Sequence, residues 1–273
     1  ALTAQIQKLE QILETKLFER GRAGAKPTPL GREIIVRARQ VLEETTALTE
    51  YALSARKGVQ GTLRLGVTPT LGPYLMPEVV ASLHRQYTDF RLYIREGAPV
   101  DLDVDLANGR HDVILTQLPS TSEDFCEMPL ISEPLYLTMA DDHTLVRQKS
   151  LSPEDLKGQD VLSLNPRYRL AEQISRFCER HGAHVQTDYE GTSLDAIRQM
   201  VGMNMGIAFL PALYVLSELD QHDGVAIRAL KGRGMQRSMG LVHRKRSAQT
   251  PSIEALATAI KTVADTKLKK LKI

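Results

Sequence analysis

Beyond Gly61 the chain alternates short apolar runs with helix-like stretches, and few folds accept that order. Residues 62–67 read as a strand, and a helix over 75–87 follows, opened by Pro73. Residues 91–94 form a second strand, 104–108 end a second helix before Gly109, and 112–117 make a buried strand. A second set starts at Leu135, with strands at 135–139, 161–164, 187–190 and 207–211. Its helices fall near 152–156, 170–181 and 193–203, before a strand at 239–243 and a last helix over 253–269. Such alternation predicts an α/β fold with a mostly parallel sheet.

The first sixty residues obey different spacing. Leu2, Ile6, Leu9 and Leu13 recur every three or four positions, which places them on one helix face. Thr3, Gln5, Gln7 and Lys8 fall largely on the other side, and such side chains bond base edges or phosphates. Arg20, Arg22 and Lys26 lie in a Gly-rich basic segment of hairpin length, suited to touch backbone phosphate. On composition alone the same residues equally make a surface helix and a solvated basic turn. Thr28 and Pro29 then supply a hydroxyl cap and a first-turn proline, starting a helix that runs to about Lys57. Ile34, Ala38, Val41, Thr45, Leu48, Ala52 and Ala55 alternate by four and three, a heptad seam suited to dimerisation. The candidate dimer contacts are Ile34, Ala38, Val41, Leu48 and Ala52, although such a helix can also lie on its own domain. Gly58 and Gly61 end it.

Bulk properties exclude more than they assign. A net charge of +2 is too small to name nucleic acid as a partner by itself. Two cysteines, Cys126 and Cys178, make no disulfide framework and fit a reducing cytosol. Polar residues interrupt every apolar run, so no membrane span is expected. The chain has no P-loop, dinucleotide glycine fingerprint or nucleophile elbow, and therefore no expected enzymatic activity, catalytic residue or cofactor. Cys178, His181 and His184 have ligand-like spacing, but Gly182 interrupts the helix and no metal site is expected. Met200, Met203 and Met205 read as core filling beside a buried strand.

Six segments carry a family resemblance. The run Ala1-Leu2-Thr3-Ala4-Gln5-Ile6-Gln7-Lys8-Leu9-Glu10, with Leu17-Phe18-Glu19-Arg20 and Thr28-Pro29-Leu30-Gly31, resembles the winged helix-turn-helix of LysR-type transcriptional regulators. Gly61-Thr62-Leu63-Arg64-Leu65-Gly66, Glu133-Pro134-Leu135 and Gly206-Ile207-Ala208-Phe209-Leu210-Pro211 are similar to that family's effector-binding region. The resemblance covers essentially the whole chain. It implies the C-terminal part of a DNA-binding domain at 1–31, a dimerising linker helix and hinge at 32–60, and a two-lobed periplasmic-binding-protein-like domain at 61–273. Lobe I would comprise about 61–134 and 237–273, lobe II about 135–236, with crossing strands near 133–138 and 236–242. In the family further helices precede the first of these segments. The chain has no initiator Met and starts inside the motif, so a truncated N-terminus is expected. The implied partners are double-stranded DNA, a small-molecule effector and further copies of the chain, as a homodimer or homotetramer. The implied location is cytoplasmic.

Within the family the resemblance is strongest to the OxyR branch, through residues 68–77 and Thr192-Ser193-Leu194. That branch uses a peroxide-reactive and a resolving cysteine. Matching residues 162–170 and 177–178 to it puts Cys178 at the resolving position and Arg169 at the reactive one. An arginine forms no sulfenic acid. Of the threonines around the peroxide, Thr70 matches and the other falls on Pro99. The expected effector is therefore a small anion, such as a carboxylate metabolite. Arg167 and Arg169 would supply bidentate contacts. Thr68, Thr70, Thr192 and Ser193 precede helices, where free N–H groups favour anions, and Gln117 completes the set. Three alternatives stand beside it: surface arginines paired with Glu172 or Glu179, a redox regulator using Cys178 or Cys126, and a free solute-binding protein.

Overall fold

The computed structural model describes residues 2–21, 24–57, 59–120, 122–188, 191, 193–219, 224–232, 234–245 and 251–270. Two units emerge, Ala1–Leu53 and Ser54–Ile273. The first holds α1 (Leu2–Ile12), the antiparallel pair β1 (Phe18–Gly21) and β2 (Gly24–Pro27), and most of α2 (Pro29–Lys57). Glu10 ties α1 to the hairpin: its Oε1 accepts from the Leu17 N–H at 2.7 Å and the Phe18 N–H at 3.0 Å. Thr28 caps α2 as its sequence predicts, Oγ1 accepting from the Gly31 N–H at 2.9 Å. The same hydroxyl donates to the Lys16 carbonyl at 3.0 Å. Gly31 is buried against Leu17, and a Cβ there would overlap the Leu17 carbonyl oxygen.

In the second unit the elements follow as β3 (Gly61–Val67), α3 (Gly72–Gln86), β4 (Phe90–Glu96), α4 (Pro99–Ala107) and β5 (Val113–Gln117). Then come the long β6 (Phe125–Ala140), β7 (Asp160–Leu162), α5 (Arg169–His181), β8 (His184–Val185) and α6 (Leu194–Gly202). The chain ends with β9 (Ile207–Pro211), α7 (Ala212–Glu218), β10 (Val225–Arg228), β11 (Gln236–Arg244) and α8 (Pro251–Leu268). The nine-stranded sheet has the order β4-β3-β5-β11-β6-β9-β7-β8, with β10 also on β6.

This is a two-lobed α/β domain, as the sequence implies, but its sheet is mixed rather than mostly parallel. Pairs β3–β4, β3–β5, β7–β8 and β7–β9 are parallel. Pairs β11–β5, β11–β6, β6–β9 and β10–β6 are antiparallel. The reason is topological: the chain crosses from one lobe to the other on β6 and returns beside it on β11. Each lobe keeps a parallel set, and the crossing strands run against their neighbours. Leu65, Val67 and Leu75 pack one lobe, and Leu137, Val161 and Phe209 the other, all within one continuous buried cluster.

Local departures have local causes. The strand expected over 187–190 lies earlier, at His184–Val185, because Gly182 ends α5 in the left-handed region (φ 70°) and the chain pairs with β7 at once. Thr187 and Asp188 are exposed and outside any strand, and 189–190 lie outside the described residues. Met203 and Met205 are not core filling: they are 72% and 51% exposed. Helix α6 stops at Gly202, and the turn at Asn204 (φ 57°) carries both thioethers past the core.

Candidate functional site

Two charged contacts join the lobes, one buried in the sheet and one at the start of α5. At the crossing strands, Arg237 and Glu133 are 1% and 0% exposed. Arg237 donates through Nε to Glu133 Oε2 at 2.8 Å, through Nη1 to Thr70 Oγ1 at 2.9 Å, and through Nη2 to the Thr70 carbonyl at 2.9 Å. Glu133 Oε1 accepts from the Leu213 N–H at 2.8 Å, fixing the start of α7. Every strong donor and acceptor is matched, which is what a buried ion pair requires. Sequence reasoning missed this pair, since its partners are 104 residues apart. The available signal was a charge inside each of two otherwise strand-like runs.

The second contact comes from the loop before α5. Asn165 folds that loop, its Oδ1 accepting from the Arg167 N–H at 2.9 Å and its carbonyl from the Tyr168 N–H at 3.0 Å. Arg169 is thereby aimed across the lobe boundary. Its Nη2 donates to Asp103 Oδ2 of α4 at 2.5 Å. Its Nη1 donates to the Gln117 carbonyl at 2.5 Å and Thr116 Oγ1 at 3.3 Å, at the end of β5. Arg169 and Asp103 are 14% and 13% exposed, so water screens them little. Arg167 makes a parallel but exposed pair with Asp101 at 2.6 Å.

The alternative surface pairing with Glu172 or Glu179 is not what forms: both arginines pair with aspartates of α4. Glu172 instead lies 3.5 Å from Arg176. Gln117 donates through Nε2 to Gln173 Oε1 at 2.8 Å, and Gln173 donates onward to the Gln236 carbonyl at 2.7 Å. Beside this ladder lies a groove of about 390 Å³, lined by Arg176 and Arg180 of α5 and by Leu118, Gln236 and Ser238.

The remaining expected effector residues separate. Thr70 is buried and committed to Arg237. Thr68 is buried after β3, and its Oγ1 has no hydrogen-bond partner among the described residues. The Oγ of Ser163, buried after β7, also lacks one. Ser193 caps α6, its Oγ accepting from the Asp195 N–H at 3.2 Å, and Thr192 lies outside the described residues. The structure thus joins Arg169 to Gln117, while Thr70 is committed to Arg237, Ser193 to the α6 cap and Arg167 to Asp101.

Cys178 is buried on the inner face of α5, and burial pushes its thiol up to about 11. Cys126 is half-buried on β6, paired in register with His243, and both cysteines are free. Among the described residues no group of three His, Cys, Asp or Glu side chains is placed to hold a metal ion.

In the first unit Thr3, Gln5, Gln7 and Lys8 are exposed on α1, and Lys26 is exposed on β2. The Arg20 side chain and all of Arg22 lie outside the described residues. On α2, Ile34 is half-buried and Ala38 exposed, and Val41 and Leu48 are 65% and 69% exposed. The Ala52 and Ala55 side chains fall outside the described residues. No described helix is long and apolar enough to cross a membrane.

Residues 56–265 match the LysR substrate binding domain. The Escherichia coli K12 protein named DNA-binding transcriptional dual regulator OxyR is 34% identical over 264 residues, covering 97% of this chain and 86% of its own length. A Pectobacterium carotovorum protein named hydrogen peroxide-inducible genes activator is 34% identical over 260 residues, covering 95% of this chain and 86% of its own. Among solved structures, a cysteine-to-aspartate variant of full-length OxyR from Pseudomonas aeruginosa superposes with a TM-score of 0.80 at 29% identity. That match covers 96% of this chain and 88% of the other.

Proposed function

The chain belongs to the LysR family of transcriptional regulators, and we propose that it binds double-stranded DNA as a homodimer or homotetramer and is switched by a small anion held between its lobes. The observation that carries this reading is Arg169. It reaches from α5 of one lobe to α4 and β5 of the other, and there it already grips a carboxylate, Asp103. A carboxylate effector competes for that same planar donor set. The orphaned hydroxyls of Thr68 and Ser163 follow the C-terminal ends of parallel strands β3 and β7, where α/β sheets take their ligands.

Displacing Asp103 releases α4 from α5, so anion binding trades one interlobe contact for another and shifts the balance of lobe arrangements. In the first unit, exposed Thr3, Gln5, Gln7 and Lys8 on α1 present groups that read bases and phosphates. The α2 seam would pair two such helices on neighbouring half-sites. The proposed organisation is a DNA-binding part at 1–31, a linker helix at 32–60 and a two-lobed sensor at 61–273.

A peroxide switch is the second reading, favoured by the name of the Pectobacterium relative. Two features of this chain oppose it: Arg169 stands where the resemblance calls for a reactive cysteine, and the Cys178 thiol is buried and held protonated. A thermal-shift screen against small carboxylates, phosphates, amino acids and peroxide separates the readings. Stabilisation by one anion, lost in Arg169→Ala, is the expected result. A response to peroxide alone that needs Cys178 or Cys126 would replace it with the redox reading.

A further inference from the structure

We propose that the groove between α5 and the start of β11 is a second anion site, separate from the Arg169 contact, built for a small dianion such as a dicarboxylate or a phosphate monoester. Its basic wall is Arg176 and Arg180, four residues apart on α5 and so neighbours on one helix face. Like charges at that spacing repel each other, and among the described residues no carboxylate lines the groove to offset them. Among the described residues, Arg176 has only the long 3.5 Å contact to Glu172, between two side chains each 64% exposed. Arg180 spends Nε on the Arg176 carbonyl at 3.0 Å, and its terminal nitrogens have no partner among the described residues.

The floor, by contrast, is already set. Gln117, Gln173 and the Gln236 carbonyl form a fixed amide ladder. The third arginine of the groove, Arg237, is neutralised by Glu133 beneath it. A rigid polar floor under two underused guanidinium groups is preorganised for an anion, and two adjacent cations match two negative charges. A volume near 390 Å³ lies at the small end of ligand pockets, which limits the occupant to a compact metabolite. Arg176 and Arg180 belong to the lobe of α5, whereas Gln117 ends β5 of the other lobe and Leu118 follows it. Occupancy therefore fastens the two lobes in the arrangement described above.

Isothermal titration of the full chain at low ionic strength, with inorganic phosphate and with succinate in separate arms, tests the site. Saturable binding of at least one probe is expected, and the arm that responds names the source of the dianion. R176Q/R180Q removes both cations from an exposed helix face and should weaken Kd at least tenfold. S238D supplies a carboxylate to the groove lining and should weaken it similarly. R169Q, which removes the neighbouring Arg169 contact, should weaken Kd less than R176Q/R180Q does. Absence of saturable binding by either probe, or an unchanged Kd in R176Q/R180Q, overturns the proposal. Binding lost in R169Q but kept in R176Q/R180Q also overturns it, and assigns the anion to the Arg169 contact instead.

Discussion

Glu133 is a residue whose charge depends on one partner for its solvation. Water does not reach it, and its two oxygens are satisfied by Arg237 and the Leu213 N–H. Glu133→Gln leaves the Arg237 cation buried without a counter-ion, and losses of about 3–5 kcal/mol are typical of that lesion. Urea denaturation should show it, with E133Q/R237M less destabilised than E133Q alone; a loss below about 1 kcal/mol would contradict the burial argument. Cys178 gives a second residue-scale expectation. Its thiol rises from an ordinary 9.0 to about 11 because burial disfavours the thiolate. A raised folded-state value contributes stability that is fully present below pH 9.0 and is lost as pH climbs towards about 11. Unfolding midpoints should therefore fall over that window, and less steeply in Cys178→Ala. At pH 8 a thiol reagent should modify Cys126 well before Cys178, and equal rates would show that the burial is breached.

At the scale of elements, α4 and α5 meet through side chains rather than through a shared apolar face. Arg169 and Asp103, with Arg167 and Asp101, are the described polar links between them. Asp103→Asn keeps the shape and removes the charge. It should speed hydrogen exchange in the first turn of α5 and at 116–118, leave β6 and β11 protected, and tighten binding of the anionic effector at Arg169. Unchanged exchange would show that the lobes are held elsewhere. The local signals for these elements were plain in the sequence: Thr28-Pro29 starts α2, and Gly182 stops α5. Those effects act within a few residues of backbone.

The crossing strand β6 was legible only from Leu135, although it begins at Phe125, because its first half alternates exposed and half-buried positions around two prolines. Helix α7 and strand β10 are seven and four residues long, too short for periodicity to declare them. The site divides in the same way. Arg169 stood out against a family pattern, whereas Asp103 lies 66 residues away and nothing local marks it as the partner. The nearby Glu172 and Glu179 were the alternative partners that spacing offered, and tertiary placement of α4 overrode them.

The full chain carries a net charge of only +2. Attraction to DNA must then come from particular cations rather than a general field. Lys8 and Lys26 are exposed on α1 and β2, one on the proposed reading helix and one on the hairpin. Each phosphate contact contributes roughly 0.9 to the slope of log K against log salt, so Lys8→Gln and Lys26→Gln should each flatten that slope by about one. Arg169→Ala should leave the slope alone and change only the response to effector. Oligomer state enters the same measurement. Leu48 is 69% exposed in a single chain, and Leu48→Glu on the α2 seam should dissociate the assembly in sedimentation. Two linked heads bind with an avidity that one head lacks, so the same variant should weaken DNA binding by at least tenfold at fixed salt. If Leu48→Glu leaves both sedimentation and affinity unchanged, the seam is not the dimer contact and the heads are paired through another surface. If it dissociates the chain while the salt slope halves, two copies share the phosphate contacts, and the sensor acts by setting how those copies are spaced.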